Sequence, residues 1–187
     1  MPQATYIPLA TITPSSTDSQ IDFANIPNTY RDLVITSNML TTADTVTGVI
    51  RFNGVTTSTY NAVQMYGLGS CSGASGSQSN QTSFSDIFGR TSPGFFQMQI
   101  FDYAQTDKHK SGLIRVDQAA YATYAAAVRW ANTAAITSIS IAPSGASWTN
   151  GATFSLFGIA GWNHRNCYPG SSKRHRRFYN HPAIHLS

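Results

Sequence analysis

Five side chains near the C-terminus, His164, Cys167, His175, His181 and His185, are of the types that bind transition metals. Zinc modules present such ligands in closely spaced pairs, and these spacings match none of them, so the plain reading is a basic arm that carries histidines. Carboxylate pairing of the kind that cleaves glycosides would need Asp86 with Asp102, or Asp102 with Asp107 or Asp117, to converge from scattered positions. Serines are abundant, but none stands in a G-x-S-x-G elbow, and His109 between Lys108 and Lys110 reads as a solvated turn residue. Cys71 and Cys167 fit no metal-ligand spacing, and two free thiols are favoured over a disulfide between them. The sequence therefore predicts no enzyme, no metal site and no cofactor.

Charge is the more informative signal. Residues 1–160 hold seven Lys or Arg against eight Asp, a net of −1, whereas residues 161–187 hold Arg165, Lys173, Arg174, Arg176 and Arg177 against no acid, a net of +5. The sequence pI near 9.2 is thus made by the tail. The division predicts a body over 1–160 and a basic, His- and aromatic-containing arm over 161–187. Two chemistries suit such an arm. Clustered cations with Phe178 and Tyr179 suit nucleic acid, through counterion release and stacking on bases. The same cations with Trp162, Tyr168, Phe178, Tyr179, Ile184 and Leu186 as apolar anchors suit an acidic protein surface, and this second partner is favoured.

Stepping through the body, short strands alternate with polar turns. Asn25-Ile26-Pro27-Asn28-Thr29-Tyr30-Arg31-Asp32-Leu33-Val34-Ile35 is a turn feeding a strand, because Pro27 pushes Ile26 towards extended geometry and Asn28 and Thr29 are turn formers. Further strands are predicted at Tyr6–Thr13, with Pro8 arguing for an edge, Leu33–Met39, Val46–Asn53, Phe84–Phe88, Gly94–Tyr103, Leu113–Val116 and Thr153–Ile159. Asn53-Gly54 and Asn150-Gly151 mark turns. Tyr60–Leu68 reads as strand or short helix, and Tyr121–Trp130 as strand from its neighbours despite its alanines. Ala135–Ile141 alternates most clearly, and Ser70–Ser83, rich in Ser, Gly and Gln, reads as a long exposed loop. About ten strands and no confident helix predict an all-β fold, an antiparallel β-sandwich and most plausibly a jelly roll, with an extended C-terminal arm.

Charged residues make up only 11% of the chain, far below the ~25% of average soluble domains. Low charge with many small polar residues suits a β-protein of a large assembly better than a freely diffusing cytosolic enzyme. No signal peptide and no apolar run of about 18 residues is present, so synthesis in a cytoplasm without export by the usual route, and no membrane partner, are expected.

Several segments together resemble a family of small virion structural proteins of tailed bacteriophages. They are Phe23-x-x-Ile26-Pro27-x-Thr29-Tyr30-x-Asp32-Leu33, Ile50-Arg51-Phe52-Asn53-Gly54, Ile100-Phe101-Asp102-Tyr103 followed by Lys108 and Lys110, Ala135–Ile139, and Gly151-x-x-Phe154 to Ile159. The resemblance covers residues 20–160 and implies a β-sandwich that forms homotrimers, as a capsid decoration (cement) protein or a tail or neck fibre tip. Fibre modules usually follow an N-terminal anchoring region; this sandwich is expected to start almost at Met1, which turns attention to the arm. The implied function is bridging of major capsid proteins on the outer surface of a phage head made in a host cytoplasm. Trp162, Arg165, Tyr168, Lys173, Arg174, Arg176, Arg177, Phe178 and Tyr179 would contact the capsid or a neighbouring subunit. The other implied function is a fibre tip binding host polysaccharide, with Ser70–Ser83 as a contact loop.

Overall fold

A burial period of two governs most of the longer strands. The computed structural model describes residues 4–15, 18–44, 46–68, 73–118 and 122–161, over 86–88 as backbone alone. Among the described residues there are twelve strands and no helix. They are β1 (Tyr6–Ile12), β2 (Ile21–Phe23), β3 (Asp32–Met39), β4 (Val46–Phe52), β5 (Tyr60–Leu68), β6 (Gly73–Gln81), β7 (Phe84–Gly89), β8 (Gly94–Phe101), β9 (Lys110–Gln118), β10 (Ala122–Trp130), β11 (Ile139–Pro143) and β12 (Thr153–Ile159).

Eight strands form one antiparallel sheet in the order β1-β12-β3-β8-β9-β10-β5-β6, and four form a second in the order β2-β11-β4-β7. The two pack as a sandwich, the fold class the sequence predicts. Consecutive strands cross between the sheets at β1/β2, β2/β3, β3/β4, β4/β5, β6/β7, β7/β8, β10/β11 and β11/β12, whereas β5/β6, β8/β9 and β9/β10 stay within the larger sheet. β10 settles the ambiguity of its alanines. Ala122, Tyr124, Ala126, Val128 and Trp130 point inward and Thr123, Ala125, Ala127 and Arg129 outward, which a helix cannot do.

The two layers are tied by aromatic packing. Phe52 on β4 and Phe84 on β7 meet Tyr60 on β5 and Trp130 on β10, with edge-to-face pairs at 5.5 Å (Phe52–Phe84), 4.9 Å (Tyr60–Phe84) and 5.6 Å (Phe52–Trp130). Such pairs add roughly 0.5–1.5 kcal/mol each beyond the area they bury. The Tyr60 hydroxyl is satisfied inside this cluster, donating to the Val55 carbonyl at 3.0 Å and accepting from the Phe52 amide at 3.0 Å.

Two expectations are corrected. Ser70–Ser83 is not a long loop, since residues 73–81 form β6, paired with β5 from Gly67↔Gly73 to Tyr60↔Gln81. Small polar residues have weak strand preference by themselves, but β5 supplies a ready ladder, and pairing overrides propensity. Ala135–Ile141 is a strand only from Ile139. The backbone at 136–138 is held instead by loop partners: the Ile136 amide donates to the Tyr103 carbonyl, and Thr137 and Ser138 carbonyls accept from Ile26 and Asn53.

Candidate assembly interface

Four of the segments that carry the resemblance, and the Gly158–Ile159 end of the fifth, converge at one end of the sandwich. Pro27 accepts a hydrogen bond from the buried Tyr103 hydroxyl, Ile26 and Asn53 hold residues 137 and 138, and Gly158 lies against the Tyr30 ring. Asp32 on β3 is buried, with its carboxylate accepting from Arg31 Nη2 at 2.8 Å, Arg31 Nε at 3.1 Å and the Asp102 amide at 3.0 Å. Asp102, at a left-handed φ of 45°, binds Lys108 Nζ at 2.6 Å through its own carboxylate. These hydrogen bonds raise the pKa of both cations, Arg31 through Asp32 and Lys108 through Asp102. These residues therefore do structural work, closing turns and fixing strand ends.

Of the candidate carboxylate pairs, Asp102 and Asp117 are held apart. Asp117 stands opposite Phe95, seven residues along β8 from Asp102, which at strand rise is roughly 23 Å. Asp102 is engaged by Lys108, and the Asp86 side chain lies outside the described residues. His109 is exposed, as a turn residue should be. Lys110 is the unusual cation. It is buried, and Nζ donates to the carbonyls of Thr133 at 3.0 Å and Lys108 at 3.1 Å, so it ties the 131–135 loop to the start of β9. Burial lowers its pKa.

The broad surface of the molecule is the outer face of the eight-stranded sheet, and strand register fixes its layout. One row crosses it as Ser155, Thr36, Gln97, Arg115, Ala125, Met65, Ser75. The next row towards the motif-bearing end runs Phe157, Val34, Gln99, Leu113, Ala127, Val63, Ser77. At ~4.8 Å per strand the platform is roughly 34 Å wide. It is low in charge, and two hollows mark it. Val63, Met65, Leu113, Ala125 and Ala127 line an apolar groove of ≈ 520 Å³, with Val63 and Met65 66% and 64% exposed. Thr36, Asn38, Phe95, Asp117, Thr153 and Ser155 line a mixed hollow of ≈ 430 Å³, in which Phe95 is 47% exposed. What this face offers chemically is apolar contact and hydrogen bonding over a flat area.

No family model, curated protein or solved structure matches this chain. The reading of its function thus rests on its own geometry and sequence.

All nine partner-binding residues predicted from the arm, Trp162, Arg165, Tyr168, Lys173, Arg174, Arg176, Arg177, Phe178 and Tyr179, lie outside the described residues. So do His164, Cys167, His175, His181, His185 and Cys71; among the described residues no three metal-binding side chains come together. The platform itself escaped sequence reasoning. Its signal was present in β5, where Ala62, Gln64 and Tyr66 alternate with an equally apolar set, Val63 and Met65, so that both faces look like a core.

Proposed function

We propose that this chain is a non-enzymatic assembly protein of a virion, a decoration or cement protein that bridges neighbouring major capsid proteins of a bacteriophage head. The observation that carries this reading is the strand order. β1-β12-β3-β8 facing β2-β11-β4-β7 supports reading the sandwich as a jelly roll, an architecture used by capsid and lectin domains, here widened by β9, β10, β5 and β6 into an eight-stranded sheet. The low-charge platform adds a surface suited to lying against other proteins, and the resemblance adds the virion context.

A protein that binds only the assembled shell stabilises it by its binding free energy, and contacts linked in one oligomer reinforce one another through effective concentration. In this reading the +5 arm supplies electrostatic attraction to an acidic shell and its aromatic residues supply apolar anchorage. The test is co-sedimentation with undecorated heads, together with the heat stability of those heads, for the full chain and for a truncation ending at Ala160. Binding and stabilisation by the full chain, lost in a folded truncation, support the reading; no binding by either overturns it.

The hollow around Phe95 favours a second reading, a fibre tip that binds polysaccharide. An exposed ring flanked by the Asp117 carboxylate, the Asn38 amide and the Thr36 hydroxyl offers stacking and hydrogen bonding to a sugar. Glycan binding lost in Phe95→Ala supports it, and no glycan binding by the full chain sinks it.

A further inference from the structure

A sandwich has four strand edges, and each exposes a row of backbone donors and acceptors that can recruit another strand. Three edges of this sandwich are blunted. β1 carries Pro8 and a register shift between Pro8 and Ala10. β2 is three residues long and bears the exposed Asp22. β7 is short, contains Asp86, and pairs with β4 through a register shift. β6 differs from all three. It has nine residues, no proline and no charged side chain, and it runs in unbroken register with β5 from Gly73 to Gln78 before a bulge near Asn80. Among the described residues its backbone pairs with β5 on one side, and no strand pairs with it on the other.

We propose that the open edge of β6 pairs antiparallel with β6 of a second copy of this chain, joining the two eight-stranded sheets across a two-fold axis. An antiparallel two-fold contact sets residue i against j and j against i, with only a residue on the axis meeting its own kind, so it is disfavoured wherever like charges face each other near its centre. Gly73, Ala74, Ser75, Gly76, Ser77 and Gln78 bring no like charges together and no bulk that would hold two backbones apart. Charge also argues against the chain's own arm as the occupant. The charged side chains nearest to β6 on this half of the platform are Arg129, Arg115 and Asp117, a net of +1, which gives no acidic seat to a segment of net +5. A long, flat, uncharged edge that stays open invites uncontrolled association, and a defined two-fold partner removes that hazard. The inference does not depend on the virion reading, and it gives a two-fold contact where the resemblance implies a three-fold one.

The experiment is sedimentation equilibrium of the full chain from low micromolar to near-millimolar concentration, with amide hydrogen exchange of β6 at both extremes. The double variant Ser75→Lys/Ser77→Lys is run alongside; both side chains are exposed in the single copy, so its fold should be retained. A concentration-dependent dimer is expected, with the β6 amides that point away from β5 protected only at high concentration. The variant should raise the dimer dissociation constant by at least about tenfold, because like charges then face each other across the axis. The proposal is overturned by a monomer at every concentration, by a trimer or other oligomer that the variant leaves unchanged, or by protection in the monomer of the β6 amides that point away from β5, which would place the arm on this edge. The exchange result for the unmodified chain decides the matter even if the variant folds poorly.

Discussion

The Asn53 side chain stands in for a neighbouring strand at Thr137: Asn53 Oδ1 accepts from the Thr137 amide at 2.8 Å. The same oxygen accepts from the Ser138 amide at 3.1 Å, and Nδ2 donates to the Ala135 carbonyl at 2.7 Å. Asn53 also occupies the left-handed region at φ 51°, followed by Gly54 at φ 65°. The two roles separate by substitution. Asn53→Gly keeps the backbone at ease but removes the side-chain bonds, and should cost about 2–3 kcal/mol at roughly 1 kcal/mol per bond. Asn53→Ala should cost about 1 kcal/mol more, because a Cβ resists left-handed geometry. Urea denaturation midpoints check both, and an Asn53→Gly protein as stable as the parent would mean that the loop is held by something else.

Asp32 offers the matching test at the start of β3. Removing the carboxylate in Asp32→Ala strands the Asp102 amide and frees Arg31, and should cost about 2–4 kcal/mol, the range for breaking a buried charged hydrogen-bond network. Arg31→Ala leaves Asp32 its backbone donor and removes only an exposed partner, so a loss below about 1 kcal/mol is expected. Thermal melts of the two variants should rank in that order. The reverse order would make the guanidinium, not the backbone contact, the anchor of this turn.

These two residues also show why the fold was largely legible in the sequence and the interface was not. Asn53-Gly54 and Arg31-Asp32-Leu33 are local signals, readable because turn chemistry and β-branched runs act over a few residues. Asn53 hides its second role, since nothing local says that its amide reaches a segment more than eighty residues away; hence the strand at 135–141 was drawn too long. β6 was missed for the opposite reason, as its pairing comes wholly from β5. The outer platform is an alignment of single residues from eight strands, visible only once register is set. The arm is legible as charge, and charge alone names a sign of partner and not a geometry.

Lys110 predicts a pH dependence. Burial lowers its folded-state pKa below the ordinary 10.5, with Lys108 adding to the effect and Asp107 opposing it. For a base with a depressed pKa, the unfolded chain binds more protons between the folded value and 10.5, so stability rises with pH across that window and the penalty is fully present at neutral pH. Burial of Tyr60 and Tyr103 raises their pKa values above 10, which makes stability fall as pH climbs past 10. Comparing the parent with Lys110→Met isolates the lysine, because the tyrosines are common to both. At pH 7 the variant should be less stable by about 1–3 kcal/mol for two lost hydrogen bonds from a charged donor. Its deficit should then widen as pH approaches 10.5, and a deficit that stays constant would show that the amine is not desolvated.

Gly112 and Gly67 make a paired test of how closely the strands of the large sheet approach. A Cβ at Gly112 would lie 2.6 Å from the Gln99 carbonyl oxygen, which as backbone cannot swing away, and 3.3 Å from Val128 Cγ2. Gly112→Ala must therefore push β9 away from β8, and should cost about 1–3 kcal/mol as an overpacked core does. Gly67, on the exposed face of β5, has nothing within 4 Å of the same position. Gly67→Ala should be neutral or stabilise by up to about 1 kcal/mol, through the entropy that glycine loses in a strand. Denaturant midpoints measured side by side give the contrast directly. If Gly112→Ala is tolerated as well as Gly67→Ala, then β8 and β9 have slack at Gln99, and the register that aligns Gln99 with Leu113 on the outer platform is not fixed by this contact.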